Sequence, residues 1–534
     1  MLGLAFGVVM ALAVVYAVVD DDGVAPTSGI AEPNALRVVP AFLGALDPAL
    51  ARPASFATWH ATCAGLTAFR DTAAPDGLLT QPEAAEGPPV VSRDGRTYVF
   101  SVRRGLRFSD GSPLTAANYA RALERLREPA MRAYGARLFA DVERVAANGR
   151  KVRIVLRKPS GDLPTRLALP WACPVPREFP VAPGGVTLTV GSGPYYVARR
   201  VQGRMLVLER NRHYRGSRPH HLQRVVMTVG GDILHNIRSV ELGQADAVGV
   251  SIGRDVRERM AQRYGVNDER LFRLMGLYTG ALVFNTSRPL FHNNVALRKA
   301  VNYALDRNEI GRAGGCWAHC FAATDQILPR GIAGWRDYDL YPLSGPDLRR
   351  ARALADGHLR GGKAVLYTCT GRLLYARYTC VGLVDQARVV VENLRAIGLE
   401  VDVKVLDVEV LFKRAGVPGE PYDMVLTDFG WDYPDPANML LPSLAGENAR
   451  QRSGNTNLAY FDERRYNRKL AAANRLAGEA RFRAFSRLDA EIMRNDAPWA
   501  PLFEGSAENF VSDRVGCLKA HPVLVRDYAA MCLR

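Results

Sequence analysis

The stretch VDQARVVVENLRAIG, Val384 to Gly398, carries an amphipathic helix pattern that ends on a glycine. It runs without a spacer into LEVDVKVLD, Leu399 to Asp407. There Leu399, Val401, Val403 and Val405 alternate with Glu400, Asp402 and Lys404, the two-residue period of a half-buried strand. Glycine just past a helix takes the left-handed C-cap that other residues resist. A helix delivered straight into a strand is the building unit of layered α/β domains. That unit is the strongest constraint in the chain, and it sets the fold class as α/β.

Other segments supply parts for the same architecture. TYVFSV puts Tyr98, Phe100 and Val102 on one strand face, and KVRIVLRKP does the same with Val152, Ile154 and Leu156. Between them, RGLRFSDGSPLTAANYARALERL holds a turn at Asp110-Gly111. A helix follows that Thr115 can cap, with Tyr119, Ala122, Leu123 and Leu126 on one stripe. VALRKAVNYALDRNEI reads as one helix, with Leu297, Val301, Ala304 and Leu305 on a face. Residues 463–495 read as a last long helical region. With 534 residues, two or three lobes are expected.

The chain is 48% hydrophobic and 23% charged, which fits a globular protein with an ample core. Its net charge is +16, carried mostly by arginine spread along the whole length. A nucleic-acid protein concentrates such charge on one helix or interleaves it with aromatics. The densest run, Arg349 to Lys363, is short and contains Asp356, so no nucleic-acid partner is expected. A solvated surface and affinity for anionic polymers both remain open as reasons for the charge.

Residues 1–19 form an unbroken apolar stretch ended by Asp20, Asp21 and Asp22. Its length suits a bilayer-crossing helix, so it reads as a signal peptide or an uncleaved membrane anchor. Residues 20–36 read as a linker rich in glycine, proline and small polar residues. Export agrees with eight cysteines, an even number that permits four disulfides. Proximity favours Cys517 with Cys532, Cys369 with Cys380, and Cys316 with Cys320, leaving Cys63 for Cys173. Sequence alone does not fix that connectivity.

Signatures of catalysis are missing. No G-x-S-x-G elbow, phosphate loop or H-E-x-x-H helix is present. His213, His220 and His221 lie in a loop without a carboxylate or cysteine at ligand spacing, so neither a metal nor a cofactor is expected. One segment does look built for a ligand: TDFGWDYPDPANML, Thr427 to Leu440. Phe429, Trp431 and Tyr433 stand beside Asp428, Asp432 and Asp435, with Pro434 and Pro436 stiffening the backbone. Rings plus carboxylates on a rigid loop suit an organic cation or amine. A surface turn held by its aromatics is the other reading.

In order along the chain, LDPAL, GRTYVFSVRRGLRFSDGSPLTAANYARALERL, GSGPYYV and LVLERNRHYRGSRPHHLQRVVM follow one another. LVFNTSRPLFHNNVALRKAVNYALDRNEI, VVVENLRAIGLEVDVKVLD, YDMVLTDFGWDYPDPANML and NDAPWAPLF complete the series. This collinear set resembles the extracellular solute-binding proteins of ABC importers, in the subgroup of oligopeptide-, dipeptide- and nickel-binding proteins. The resemblance implies a two-lobe periplasmic-binding-protein clamshell, type II, with an extra subdomain in the first lobe. On that pattern lobe I spans 37–280 with the subdomain at about 70–185, lobe II spans 281–498, and 499–534 return to lobe I. It implies a monomeric, non-enzymatic protein outside the cytoplasm that captures a peptide or another polar solute and hands it to a membrane permease. A membrane-anchored ligand sensor of the same fold is the alternative. Peptide binders of the family pair the ligand's free amine with an aspartate at the position of Asp432. Trp431, Tyr433 and Phe429 would then wall the cleft, with Tyr195 and Asn285 near it.

Overall fold

The computed structural model describes residues 34–534 apart from 41–42, 74, 251–253, 316–321, 374–377, 381, 519–520, 522 and 525. The apolar N-terminal segment, most of the linker and the Cys316–Cys320 pair therefore lie outside the described residues. Among those described, no helix is long and apolar enough to cross a membrane.

Eleven strands form one mixed sheet: β1 (Ala35–Val39), β2 (Tyr195–Val201), β3 (Met205–Arg210), β4 (Arg224–Thr228), β5 (Ala247–Val250), β6 (Leu271–Phe284), β7 (Ala322–Ala323), β8 (Lys363–Thr370), β9 (Glu400–Asp407), β10 (Met424–Gly430) and β11 (Trp499–Val511). Their order is β9-β8-β10-β6-β11-β5-β1-β4-β3-β2, with β7 beside β11. β1 is parallel to β4 and β5, and β8 is parallel to β9 and β10, while β6 and β11 run antiparallel to each other and to their neighbours. A strand with parallel neighbours needs crossover connections, which helices supply; Leu383–Arg395 is the one that enters β9.

Among the described residues β6 and β11, of 14 and 13 residues, are the longest strands and the only link between the two sides of this sheet. On one side the N-terminal end of β6 pairs with the C-terminal end of β11, which in turn pairs with β5. On the other side the C-terminal half of β6 pairs with β10. The register shifts between Met275 and Thr279, so that residues 276–278 lie opposite Gly505 alone. That bulge turns the ladder between its two halves. Glycine is required there, because a Cβ on Gly505 would fall inside the ring of Tyr278.

Separate cores flank this junction. Phe284, Val301, Leu366, Val390, Val425 and Trp499 belong to one core built almost entirely from 281–503. Phe56, Trp59, Tyr119, Phe100, Ile154 and Trp171 belong to a second, which includes the four-stranded sheet of Val90–Val91, Thr97–Ser101, Lys151–Leu156 and Val142–Asn148. A third joins Leu36, Tyr195 and Val225 to Val511, Val515, Tyr528 and Met531, so the C-terminal residues pack on the N-terminal half. Disulfides join Cys369 to Cys380 and Cys517 to Cys532, the two pairings that sequence proximity favours outside 316–320, and Cys63 to Cys173, the pair left over.

Local expectations are met with two breaks. Thr115 and Asn118 form a capping box at the start of Ala116–Arg127, the Thr115 N–H donating to Asn118 Oδ1 at 2.8 Å. The segment beginning at Val295 is two helices, Val295–Ala304 and Arg307–Ala313, because Asp306 accepts from Glu309 N and caps a fresh start. Residues 463–495 likewise divide into Arg464–Arg475 and Gly478–Asn495, with Leu476 and Ala477 extended between them. In β9, Val401 and Val403 are half-buried and Val405 is exposed, since β9 is an edge strand paired only with β8.

Gly505→Ala should lower stability by about 1–3 kcal/mol, the cost of forcing atoms into a filled space. Thermal unfolding measures this; an unchanged melting temperature would show that Tyr278 can move aside.

Candidate functional site

β10 leads directly into the aromatic and acidic segment. Met424 to Thr427 are buried strand residues, and the chain then turns through 431–434 before the helix Pro436–Leu444. Asp435 caps that helix, accepting from Ala437 N at 2.9 Å, and Pro436 suits its first position. Arg481 grips Asp435, with Nη2 2.9 Å from Oδ1. Asn438 reaches back with Oδ1 to accept from Asp432 N at 2.8 Å. The turn is thus pinned by its own helix, which fixes where the Asp432 side chain starts.

Partners of Asp432 come from far away in the chain. The Tyr134 hydroxyl donates to Asp432 Oδ1 at 2.6 Å, and Arg137 Nη2 lies 2.8 Å from Oδ1 and 2.9 Å from Oδ2. Tyr134 and Arg137 sit one turn apart on the short 3-10 helix Tyr134–Phe139. The guanidinium of Arg137 also lies 4.5 Å from the centre of the Tyr134 ring, and that of Arg52 lies 4.6 Å from it. Burial first, and then the Asp432 charge, push the Tyr134 hydroxyl up to about 12, so it remains a donor at neutral pH.

Tyr433, the next residue, inserts into the core built from the first half together with Val523 and Leu524 of the C-terminal segment. Its hydroxyl donates to Asp162 Oδ2 at 2.5 Å. Asp162 also accepts from Ser160 Oγ at 2.6 Å and Arg166 Nε at 3.1 Å, and Arg166 continues to Asp141 at 2.7 Å. Burial alone would raise the Asp162 carboxyl; Arg166 and Arg481 outweigh it and hold the group at about 2. Gly161 N donates to Asn474 O at 3.1 Å, and Lys158 pairs with Glu447 at 2.9 Å. Residues 158–162 are therefore joined to 433–481 by a buried charge network with an exposed rim.

The other aromatics line up on the opposite side. Trp431 is buried in the core of 281–503, and its Nε1 has no hydrogen-bond partner among the described residues. Phe429 is half-buried, its ring 4.2 Å from that of Trp499. Burial pushes the Asp428 carboxyl, on β10 opposite Gly280, up to about 7. Of the residues the sequence singles out, Phe429, Trp431, Asp432 and Tyr433 are brought to one junction. Tyr195 and Asn285 are not. Tyr195 is fully buried, donating to Leu222 O at 3.0 Å and accepting from Leu222 N at 3.1 Å, a packed core tyrosine. Asn285 is a buried turn residue that donates to Tyr422 O at 3.1 Å and accepts from Ser287 N at 3.1 Å. Sequence reasoning missed Tyr134, Arg137 and Asp162, which carry no local signal because their partners lie 298, 295 and 271 residues away. Among the described residues, no group of three or more His, Cys, Asp or Glu could hold a metal ion.

A mixed sheet carried across two long strands, with a loop reached from both halves of the chain, defines a two-lobe α/β binding protein. Comparison with known proteins agrees. The profile of the bacterial extracellular solute-binding proteins, family 5, matches residues 80–451, and the chain belongs to that family. It is similar to the clavulanic acid biosynthesis oligopeptide binding protein 2, with a TM-score of 0.82 and 26% identity over 93% of this chain and 95% of that one. The structure of HbpA2 from Haemophilus parasuis has the same fold, with a TM-score of 0.81 and 18% identity over 94% and 100% of the two chains. Among curated relatives, Protein XP55 of Streptomyces lividans is 29% identical over 52% of this chain, and dipeptide-binding protein DppE of Bacillus subtilis is 22% identical over 81% of it and 80% of its own length. The chain spans 50% of the length of XP55.

Asp162→Asn should cost about 3–5 kcal/mol at pH 7, because it leaves Arg166 and Arg481 short of a buried counter-charge. The folded group titrates at about 2, below its ordinary value of 3.8. Its contribution is therefore present above roughly pH 4 and is lost as pH falls toward 2. Urea unfolding of both proteins at several pH values should show the gap between them closing over that window.

Proposed function

We propose that the protein is the extracytoplasmic solute-binding component of an ABC importer, capturing a peptide or similar polar solute between its halves and delivering it to a membrane permease. The observation that carries this reading is Asp432: a partly buried carboxylate on a pinned turn, flanked by Trp431 and Phe429, and reached by Tyr134 and Arg137 from the other half. Family membership supports the binding role, as do relatives whose names specify oligopeptides and dipeptides. Residues 37–280 and 281–498 are the two lobes on this reading, with 499–534 returning to the first; separate cores support that division. The lobes close on the ligand by bending at the β6 and β11 register shift. The protein acts as a monomer without catalysis, and residues 1–19 direct its export or hold it at the membrane.

Calorimetry of the full chain against a peptide library tests the reading. Binding tighter than millimolar is expected, and Asp432→Asn should weaken it, since Arg137 then loses the carboxylate that holds it in place. Equal affinity in the variant would move the site elsewhere; no binding by the native protein would remove peptides as the solute.

A further inference from the structure

Arg137 occupies the place that a ligand's ammonium would need if Asp432 were to pair it. One nitrogen, Nη2, makes all of its hydrogen bonds: 2.8 and 2.9 Å to the two Asp432 oxygens and 2.6 Å to the Tyr134 hydroxyl. With Tyr134 also donating, the carboxylate already accepts three hydrogen bonds, and its side chain is only 13% exposed. The negative charge that would attract an amine is thus matched from within the chain. An incoming ammonium would meet the Arg137 guanidinium at contact distance, and Arg52 stands on the same tyrosine ring. Like charges that close repel.

The exposed part of Arg137 has the opposite preference. Its side chain is 53% exposed, and Nε and Nη1 have no hydrogen-bond partner among the described residues. Guanidinium N–H groups are matched in geometry and charge by a carboxylate. Tyr134 and Asp432 hold Arg137 in place, so little freedom is lost when a ligand meets it.

We infer that Arg137 is a built-in counterion for Asp432 and the specificity residue of the cleft: it replaces the ligand's amine and turns the site toward a carboxylate-bearing solute whose amine is absent or blocked. The inference rests on the proposed binding role, and names the ligand class of that same site.

The test uses the full chain and one pool of tripeptides free of Asp, Glu, Lys, Arg and His, in three forms: unmodified, N-acetylated (carboxylate, no amine) and C-amidated (amine, no carboxylate). Equimolar mixtures compete for the protein, and native mass spectrometry reads what is retained. The native protein should retain the acetylated pool at least tenfold over the amidated one. Arg137→Gln should reverse the order, because Asp432 is then free for an ammonium. Arg137→Lys, which keeps a cation without the planar fork, should keep the native order with weaker retention. Preference of the native protein for the amidated pool, or an unchanged order in Arg137→Gln, overturns the inference while the binding role stands. Retention of no pool by native protein or variant overturns both. Arg137 is half exposed, so the variants should melt with the native protein, and the native preference decides the question by itself if they do not.

Discussion

The pairing of β6 with β11 is the constraint on which the rest of this structure depends. Two strands of 14 and 13 residues are shared by everything on either side, so each half of the sheet is positioned by the other's hydrogen bonds. Their ladder is interrupted twice, between Gly280 and Ala281 and again where residues 276–278 face Gly505. At that point Tyr278 fills the space that a side chain on Gly505 would take. The irregularities interrupt an otherwise continuous ladder, and separate cores lie on its two sides.

Charge organises the seam between those bodies. Tyr433, from the second half of the chain, completes a core of the first, and its hydroxyl shares Asp162 with Arg166. Asp435 both caps a helix and pairs with Arg481. Such buried pairs add little net stability over apolar packing, because taking ions out of water costs about as much as their attraction returns. What they do supply is a defined geometry, since a shifted approach would strand a buried charge. Asp432 and Arg137 lie at the rim of the seam, the Arg137 side chain half exposed and that of Asp432 mostly covered.

Much of the local structure was legible. Gly398 does adopt the left-handed conformation expected of it, at φ 85°, and the helix before it and strand after it form where the periodicity put them. Thr115 begins a helix, and the disulfides Cys369–Cys380 and Cys517–Cys532 follow sequence proximity. The two interrupted helices share one cause. Asp306 and the extended Leu476-Ala477 pair interrupt patterns that look continuous, because a cap or a packing corner leaves hydrophobic spacing intact. Tyr195 and Asn285 stand in recognisable segments, yet their polar atoms are used by nearby backbone.

The sequence by itself determined the α/β class, the family, and the loop on which Asp432 stands, because periodicity, caps and turn residues act over a few positions. Whether Asp432 would face an open cleft or an internal partner was not in those signals. Tertiary structure decided it, bringing Tyr134 and Arg137 onto the carboxylate across almost 300 residues of chain. Charge pairing depends on distance in space, and no local pattern records which of 70 basic residues will arrive.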